Sequence, residues 1–502
     1  LCNCHSYSAM QGSIISPLSE KLGVPEEAFR LLLTILAGYP IAAIYRNAIE
    51  KQDNKALQHI FCALSGFFLC MFNYGIDTYH SLIAIWITYL LVRLLHKSPQ
   101  QLVAINFVFH MAYLLTGYYY TASTDYDILW TMPHCVLVLR MIGFGFDIAD
   151  GQKAREKLSK EQQETALEEM PTLLELTAFA YFPCSFLVGP QFPFRRYKRF
   201  IDGEFKPYTG AVKAGMQRMM LGFIYLAVRQ VGAMILPDDY FLTDAYRNQP
   251  FVWRVIYLGL WGKLSLYKYI SIWLLTEGAL MCIGISYAGK TTDGADDWSG
   301  CCNVRLVLLE TGNTMGHYVG SFNVNTNQWL AQYVYKRLKF LNNRNISYAC
   351  ALGFLALWHG FHSGYYMSFF IEFMIETVYQ KAVIPKYGAM LNASVLFKCL
   401  EFVVLKSYNI ILIGWCLAPF IFLSYPRWNQ VLYTRINLNL LKDNLNKRLI
   451  HSIKTTKYYI IIYFKVLLYF IILLFKQTYI YITLLYYVCI LRKTPISAYF
   501  WN

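Results

Sequence analysis

The chain has 502 residues, of which 56% are hydrophobic and only 15% charged, whereas soluble domains carry about 25% charged residues. That leaves too few ionisable side chains to coat several water-facing domains, and 34 Phe, 41 Tyr and 11 Trp exclude a disordered chain. The net charge of +15 does not point to nucleic acid, because residues 425–502 hold 11 Lys/Arg against Asp443 alone and the rest of the chain is nearly balanced.

The composition predicts an all-α, multi-pass membrane protein: a bundle of about 11 spanning or re-entrant helices around an internal chamber, with no sheet. Residues 1–28 form an N-terminal segment without the charged start and apolar core of a signal peptide; it opens at Leu1 with no initiator Met, so the chain reads as a truncated gene model. Apolar stretches follow at 29–46, 57–75, 79–95, 101–121 and 131–149. The charged stretch Asp150–Met170 reads as a solvated loop helix. Further apolar stretches lie at 172–189, 211–236 and 252–286, the last long enough for two spans. Residues 288–318 read as a loop between bundle halves. Beyond it come 346–358, continuing to 379, then 391–405 and 407–424. The sequons at Asn345 and Asn392 abut apolar helices and are expected to be unused.

Cysteines number 13, scattered through apolar stretches, and Cys2/Cys4 and Cys301/Cys302 lack zinc spacing; no metal site is expected. Two short regions carry polar residues of interest. The first is Trp358-His359-Gly360-Phe361-His362-Ser363-Gly364-Tyr365-Tyr366. Its histidines are three apart, a spacing that puts both on one helix face. Intramembrane ionisable groups are functional candidates by default, against the plainer reading of histidines bonded to backbone. The second is Ser321–Trp329, with Asn323, Asn325 and Asn327, which alone reads as a polar loop and helix cap.

Together these residues resemble the membrane-bound O-acyltransferases, which carry a Trp-His-Gly motif with a downstream Gly-Tyr, and an Asn some 35 residues earlier; here His359 lies 36 residues after Asn323. Further blocks are similar to the lysophospholipid branch of that family: Leu114–Thr121, Trp130–Val136, Leu187–Phe192, Trp261–Tyr269 and Lys336–Leu341. The resemblance covers roughly residues 20–428. It implies a membrane acyltransferase domain over 29–428 in the endoplasmic reticulum, moving a fatty acyl group from acyl-CoA to the sn-2 hydroxyl of lysophosphatidylcholine, with polyunsaturated chains favoured. His359 would be the base and Asn323 its polarising or orienting partner. Acyl-CoA is then a co-substrate, with no permanently bound cofactor, and direct transfer leaves Ser363 structural.

Tyr118, Tyr120, Trp358, Phe361, His362 and Tyr365 are candidates for lining the acceptor route. Lys263 and Lys268, inside an apolar stretch, would meet a lipid phosphate, CoA or Glu277. Two basic clusters, Arg195-Arg196-Lys198 and Lys336-Arg337-Lys339, would meet the CoA phosphates, against a plain positive-inside bias. Competing readings are a sister enzyme using lysophosphatidylserine, lysophosphatidylinositol or lysophosphatidylethanolamine, and a lipid transporter or scramblase without chemistry. The start of a CDP-alcohol phosphotransferase motif at Asp150–Arg155 is not completed, since residue 164 is Glu where Gly is required. Residues 429–502, rich in Ile, Tyr, Lys and Asn, depart from the family and read as a basic, apolar gene-model artefact. Sequence sets no expectation for the oligomeric state.

Overall fold

The computed structural model describes residues 15–122, 128–206, 208–377 and 395–432. Among these, regular structure is helical apart from a short antiparallel ribbon pairing Gly289–Lys290 with Asp296–Asp297, a small departure from the sheet-free bundle expected. Seven helical stretches of the described chain are long and apolar enough to cross a bilayer. The protein is a multi-pass membrane protein.

Several expected segments change shape. Residues 252–286 form one helix, Phe251–Ile283, of 33 residues, about 50 Å long at 1.5 Å per residue and well beyond the ~30 Å hydrocarbon core. Its last ten residues, from Leu274 to Ile283, are all buried, so protein and not lipid surrounds that end. Glu277 is therefore carried to a depth where a carboxylate must find partners. The stretches 391–405 and 407–424 likewise merge into one helix, Val395–Phe422. It crosses Phe251–Ile283 where Gly262 meets Gly414, a contact so close that a Cβ on Gly262 would collide with the Gly414 backbone.

Residues 172–189 hold a short helix, Leu173–Ala180, followed by irregular buried chain. Non-helical backbone at this depth needs internal partners, and the buried Arg140 supplies them. Its guanidinium donates to the carbonyls of Phe179, Ala180 and Ser185, to Ser185 Oγ and to Gln191 Oε1.

The two polar connections leave much of their length in solvent, as expected for the first, and each is also tied into the body. After Asp150 a helix at Lys160–Thr165 is capped by a Ser159–Gln162 box, and Leu167 N–H donates to Asp147 O at 3.0 Å. The segment 288–318 contributes helices Leu306–Thr311 and Met315–Ser321 and buries Cys301, Asn303, Val304 and Leu309. At the centre lies Thr131–Gly151, buried on most faces. The helix Tyr425–Leu432 continues past Trp428 with Val431 and Leu432 buried. Residues 433–502, which hold nearly all of the expected artefactual tail, and Asn392 lie outside the described residues.

Candidate functional site

His359 is the last residue of the helix Arg344–His359. The next residue, Gly360, has φ 120° and ψ −161°, a conformation open essentially to glycine alone, and it ends the helix. His362 then precedes a second helix, Ser363–Met374. The expected shared helix face for the two histidines is therefore wrong, as is a continuous helix from 346 to 379. His359 sits in an aromatic setting: Phe420 meets its ring edge-on at 4.9 Å, Phe369 stacks at 5.6 Å and Tyr365 lies at 5.4 Å. It is half-buried, and among the described residues no group hydrogen-bonds its imidazole. His362 touches the same Tyr365 ring at 5.9 Å from the other side of the break. Ser363 Oγ accepts from Trp428 Nε1 at 3.1 Å and donates to Leu423 O at 3.4 Å, so this hydroxyl is committed to structure.

Asn323 has a different environment. It caps the helix Val324–Tyr333 in the left-handed region, φ 50° and ψ 45°, which Asn tolerates better than most residues. Its Oδ1 accepts from Asn303 Nδ2 at 3.1 Å. Asn303 Oδ1 in turn accepts the Asn325 backbone N–H at 3.0 Å, and the Asn303 N–H donates to Glu277 Oε1 at 2.6 Å. Glu277, fully buried, is paired through Oε2 with Arg218 Nε at 2.6 Å, and a second Arg218 nitrogen donates to Val304 O. Asn327 spends its amide on the carbonyls of Val319 and Phe322. Of the three asparagines, Asn323 alone leaves its Nδ2 without a partner among the described residues, on a side chain that is only half-buried.

Two indoles tie these regions together. Trp358, beside His359, donates to Cys135 O at 2.9 Å, and Trp329, on the helix capped by Asn323, donates to Leu139 O at 2.9 Å. Cys135 and Leu139 are one turn apart on the same helix, about 6 Å along its axis. Trp329 also stacks on Phe354 of the His359 helix, centroids 5.6 Å apart and planes 22° from parallel.

The remaining candidates divide. Tyr118 Oη donates to Trp358 O at 3.2 Å, and Trp358 and Tyr365 both touch the His359 ring. Tyr120 is 80% exposed and Phe361 54% exposed, both directed outward. Lys263 pairs with Glu310 at 2.8 Å, not with Glu277, and Lys268 lies over the Tyr269 ring at 5.5 Å. A cavity of about 1060 Å³ gathers Arg195, Arg196 and Lys336 with Arg140, Arg155, Lys160 and Arg199. Asn325, Gln328 and Trp329 reach its wall; Asn323 and His359 are not among its lining residues. Arg195 also donates to the carbonyls of Gln163 and Ala166, and Arg196 to those of Ile285 and Tyr287, so both brace the wall they line. Lys336 pairs with Glu161 at 2.7 Å and Arg337 with Asp150. Lys198 pairs with Glu169 over an adjoining recess that shares Arg195 and Arg199 with the cavity wall, and Lys339 is exposed.

The profile of the membrane-bound O-acyltransferase family matches residues 115–419, a span that includes Asn323, His359 and both basic clusters. The chain belongs to the membrane-bound O-acyltransferase family. Among its relatives, the Drosophila melanogaster protein named lysophospholipid acyltransferase 5 is 61% identical over 422 residues, covering 83% of this chain and 85% of that protein. The Rattus norvegicus protein of the same name is 38% identical over 83% of this chain and 87% of its own length, and that of Caenorhabditis elegans 35% over 72% and 76%.

Residues that sequence reading passed over now stand out. Arg218, Asn303 and Arg140 carry buried polar work, and Glu277 appeared only as a neighbour for lysine. One signal was available: an acid in an apolar 33-residue helix demands a named partner.

Proposed function

We propose that the protein is a lysophospholipid O-acyltransferase that moves a fatty acyl group from acyl-CoA to the sn-2 hydroxyl of lysophosphatidylcholine, favouring polyunsaturated chains, in the endoplasmic reticulum membrane. The observation that carries this reading is the contrast in partners. Asn323 and His359, the residues that match the family's pair, each keep an unpartnered nitrogen on a half-buried side chain, while the neighbouring Asn325 and Asn327 spend their amides on backbone carbonyls. The names of the relatives supply the substrate class.

In this reading the neutral His359 imidazole accepts the proton of the acceptor hydroxyl as its oxygen attacks the thioester carbonyl. The carbonyl oxygen takes up negative charge, and the Asn323 amide N–H donates to it. Collapse of the tetrahedral adduct breaks the C–S bond, and the proton held on His359 passes to the departing thiolate, giving free CoA. Every transfer is direct, and no acyl-enzyme is formed. The cationic cavity supplies the approach for the CoA phosphates, although Arg195 and Arg196 divide their donors between that wall and backbone carbonyls.

The test is thiol release from arachidonoyl-CoA by purified protein with a panel of lysolipids. The expected result is CoA release that is fastest with lysophosphatidylcholine. Fastest release with lysophosphatidylserine, lysophosphatidylinositol or lysophosphatidylethanolamine would reassign the acceptor. Lipid movement with no CoA release from any acceptor would overturn the enzymatic reading in favour of transport.

A further inference from the structure

We propose that Asn303, anchored by the buried Glu277–Arg218 pair, is a positioning residue that fixes which end of the Asn323 amide faces the reacting thioester. This rests on the reading of Asn323 as the oxyanion donor and adds to it the residues that make that donor possible. The oxygen and nitrogen ends of an amide are nearly the same size, so only its partners decide which way it points. Asn303 Oδ1 accepts from the Asn325 backbone N–H at 3.0 Å, a group that can only donate. Asn303 therefore cannot turn its amide over without losing that bond, and its Nδ2 is left aimed at Asn323. Asn323 must answer with its oxygen, as it does at 3.1 Å. Its Nδ2 is then directed away from Asn303, free for a ligand. One backbone N–H thus sets the polarity of the whole relay.

The backbone of Asn303 is held at both ends. Its N–H donates to Glu277 Oε1 at 2.6 Å, and its carbonyl accepts from Val324 N–H at 2.9 Å, directly after Asn323. The Val304 N–H adds a second bond to the same Glu277 oxygen at 3.1 Å, and Arg218 takes the other oxygen. Asn303 is 2% exposed and Glu277 fully buried. Water does not compete for these bonds, so the geometry they impose is stiff. The capping position of Asn323, with φ 50°, depends on the same backbone contact.

The discriminating variant is Asn303→Asp, which keeps the shape and the acceptor for Asn325 N–H but turns an oxygen toward Asn323. The Asn323 amide then flips to donate to the new carboxylate and presents its own oxygen to the thioester. We expect kcat to fall about 10²-fold or more with the KM for acyl-CoA near the parent value, and the melting temperature to drop because the new carboxylate is buried beside Glu277. In an Asn323→Ala background the same change should cost less than about twofold further, because the two residues act as one unit. Should Asn303→Asp fail to fold, Asn303→Ala in the same cycle serves, with a smaller loss of kcat that again vanishes once Asn323 is gone. Normal kcat for Asn303→Asp, or losses that multiply with Asn323→Ala, would overturn the positioning role alone. Normal turnover of Asn323→Ala would overturn the oxyanion reading and the relay with it.

Discussion

The His359 end and the Asn323 end of the site are built by opposite means. Around His359 the contacts are rings, Phe420, Phe369, Tyr365 and Trp358, which hold the imidazole by shape and leave its nitrogens uncommitted. Around Asn323 the contacts are hydrogen bonds leading back to a buried ion pair. The difference fits the roles proposed for the two groups. A base needs a ring nitrogen free to gain and give up a proton, and a setting of rings leaves it so. A donor to a transient oxyanion has only to point the right way before the charge appears, and a saturated network accomplishes that.

The contrast is broken most severely by removing the groups themselves. His359→Ala should lower kcat by about 10²–10⁴-fold, the usual worth of a general base, and Asn323→Ala by about 10²–10³-fold. Steady-state thioester cleavage checks both, with a melting curve to confirm folding. If His359→Ala keeps near-parent turnover, the base has been misassigned, and His362, across the Gly360 break, is next to test.

Smaller losses are expected from loosening the common support. Trp358→Phe and Trp329→Phe each keep a ring but lose the indole N–H that reaches the Cys135 or Leu139 carbonyl. Misplacement of a reacting group by about 1 Å can cost up to 10²-fold, and one lost tether should fall short of that, near tenfold in kcat with KM little changed. His362→Ala should lose less than about threefold, since its ring touches Tyr365 and not the imidazole of His359. A loss from His362→Ala equal to that from His359→Ala would mean that both histidines serve the chemistry.

Sequence reading went furthest where a signal is local. The solvent class, most spans and the family were legible, because a run of apolar residues or a Trp-His-Gly triplet is complete in itself. It failed where the outcome depended on a partner distant in the chain. The break at Gly360 looks, in sequence, like any glycine in a helix, and only its φ of 120° shows that it separates the histidines. The stretch 252–286 is long enough for two spans when length is compared with the bilayer, yet it forms the single helix Phe251–Ile283, because protein covers its last turns. Lys263 was offered Glu277 as a neighbour within its own helix, whereas the fold brings Glu310 to it and gives Glu277 to Arg218. Asn303 carried no signal of its own, since its role consists of four hydrogen bonds to two other segments.

The smallest effect is expected at the mouth of the cationic cavity, outside the spans, where Lys336 is held by Glu161 at 2.7 Å. The Lys336 ammonium, with help from a backbone N–H and the Ser159 hydroxyl, pushes the Glu161 carboxyl down to about 2, against roughly 4.3 when unperturbed. A depressed value means that the pair is fully formed above the ordinary carboxylate range and is lost only as pH falls toward 2, so it is constant between pH 6 and 8. Glu161→Gln removes a negative charge from a wall that a polyphosphate would approach and releases Lys336 to meet it. The pair is partly exposed, so the gain is small: the KM for acyl-CoA should fall about two- to threefold, equally at pH 6 and pH 8. The gain should shrink in 0.5 M salt as screening shortens the reach of both charges. A rise in KM would instead mean that Glu161 holds Lys336 in its working place, and Lys336→Ala would then raise KM to the same extent.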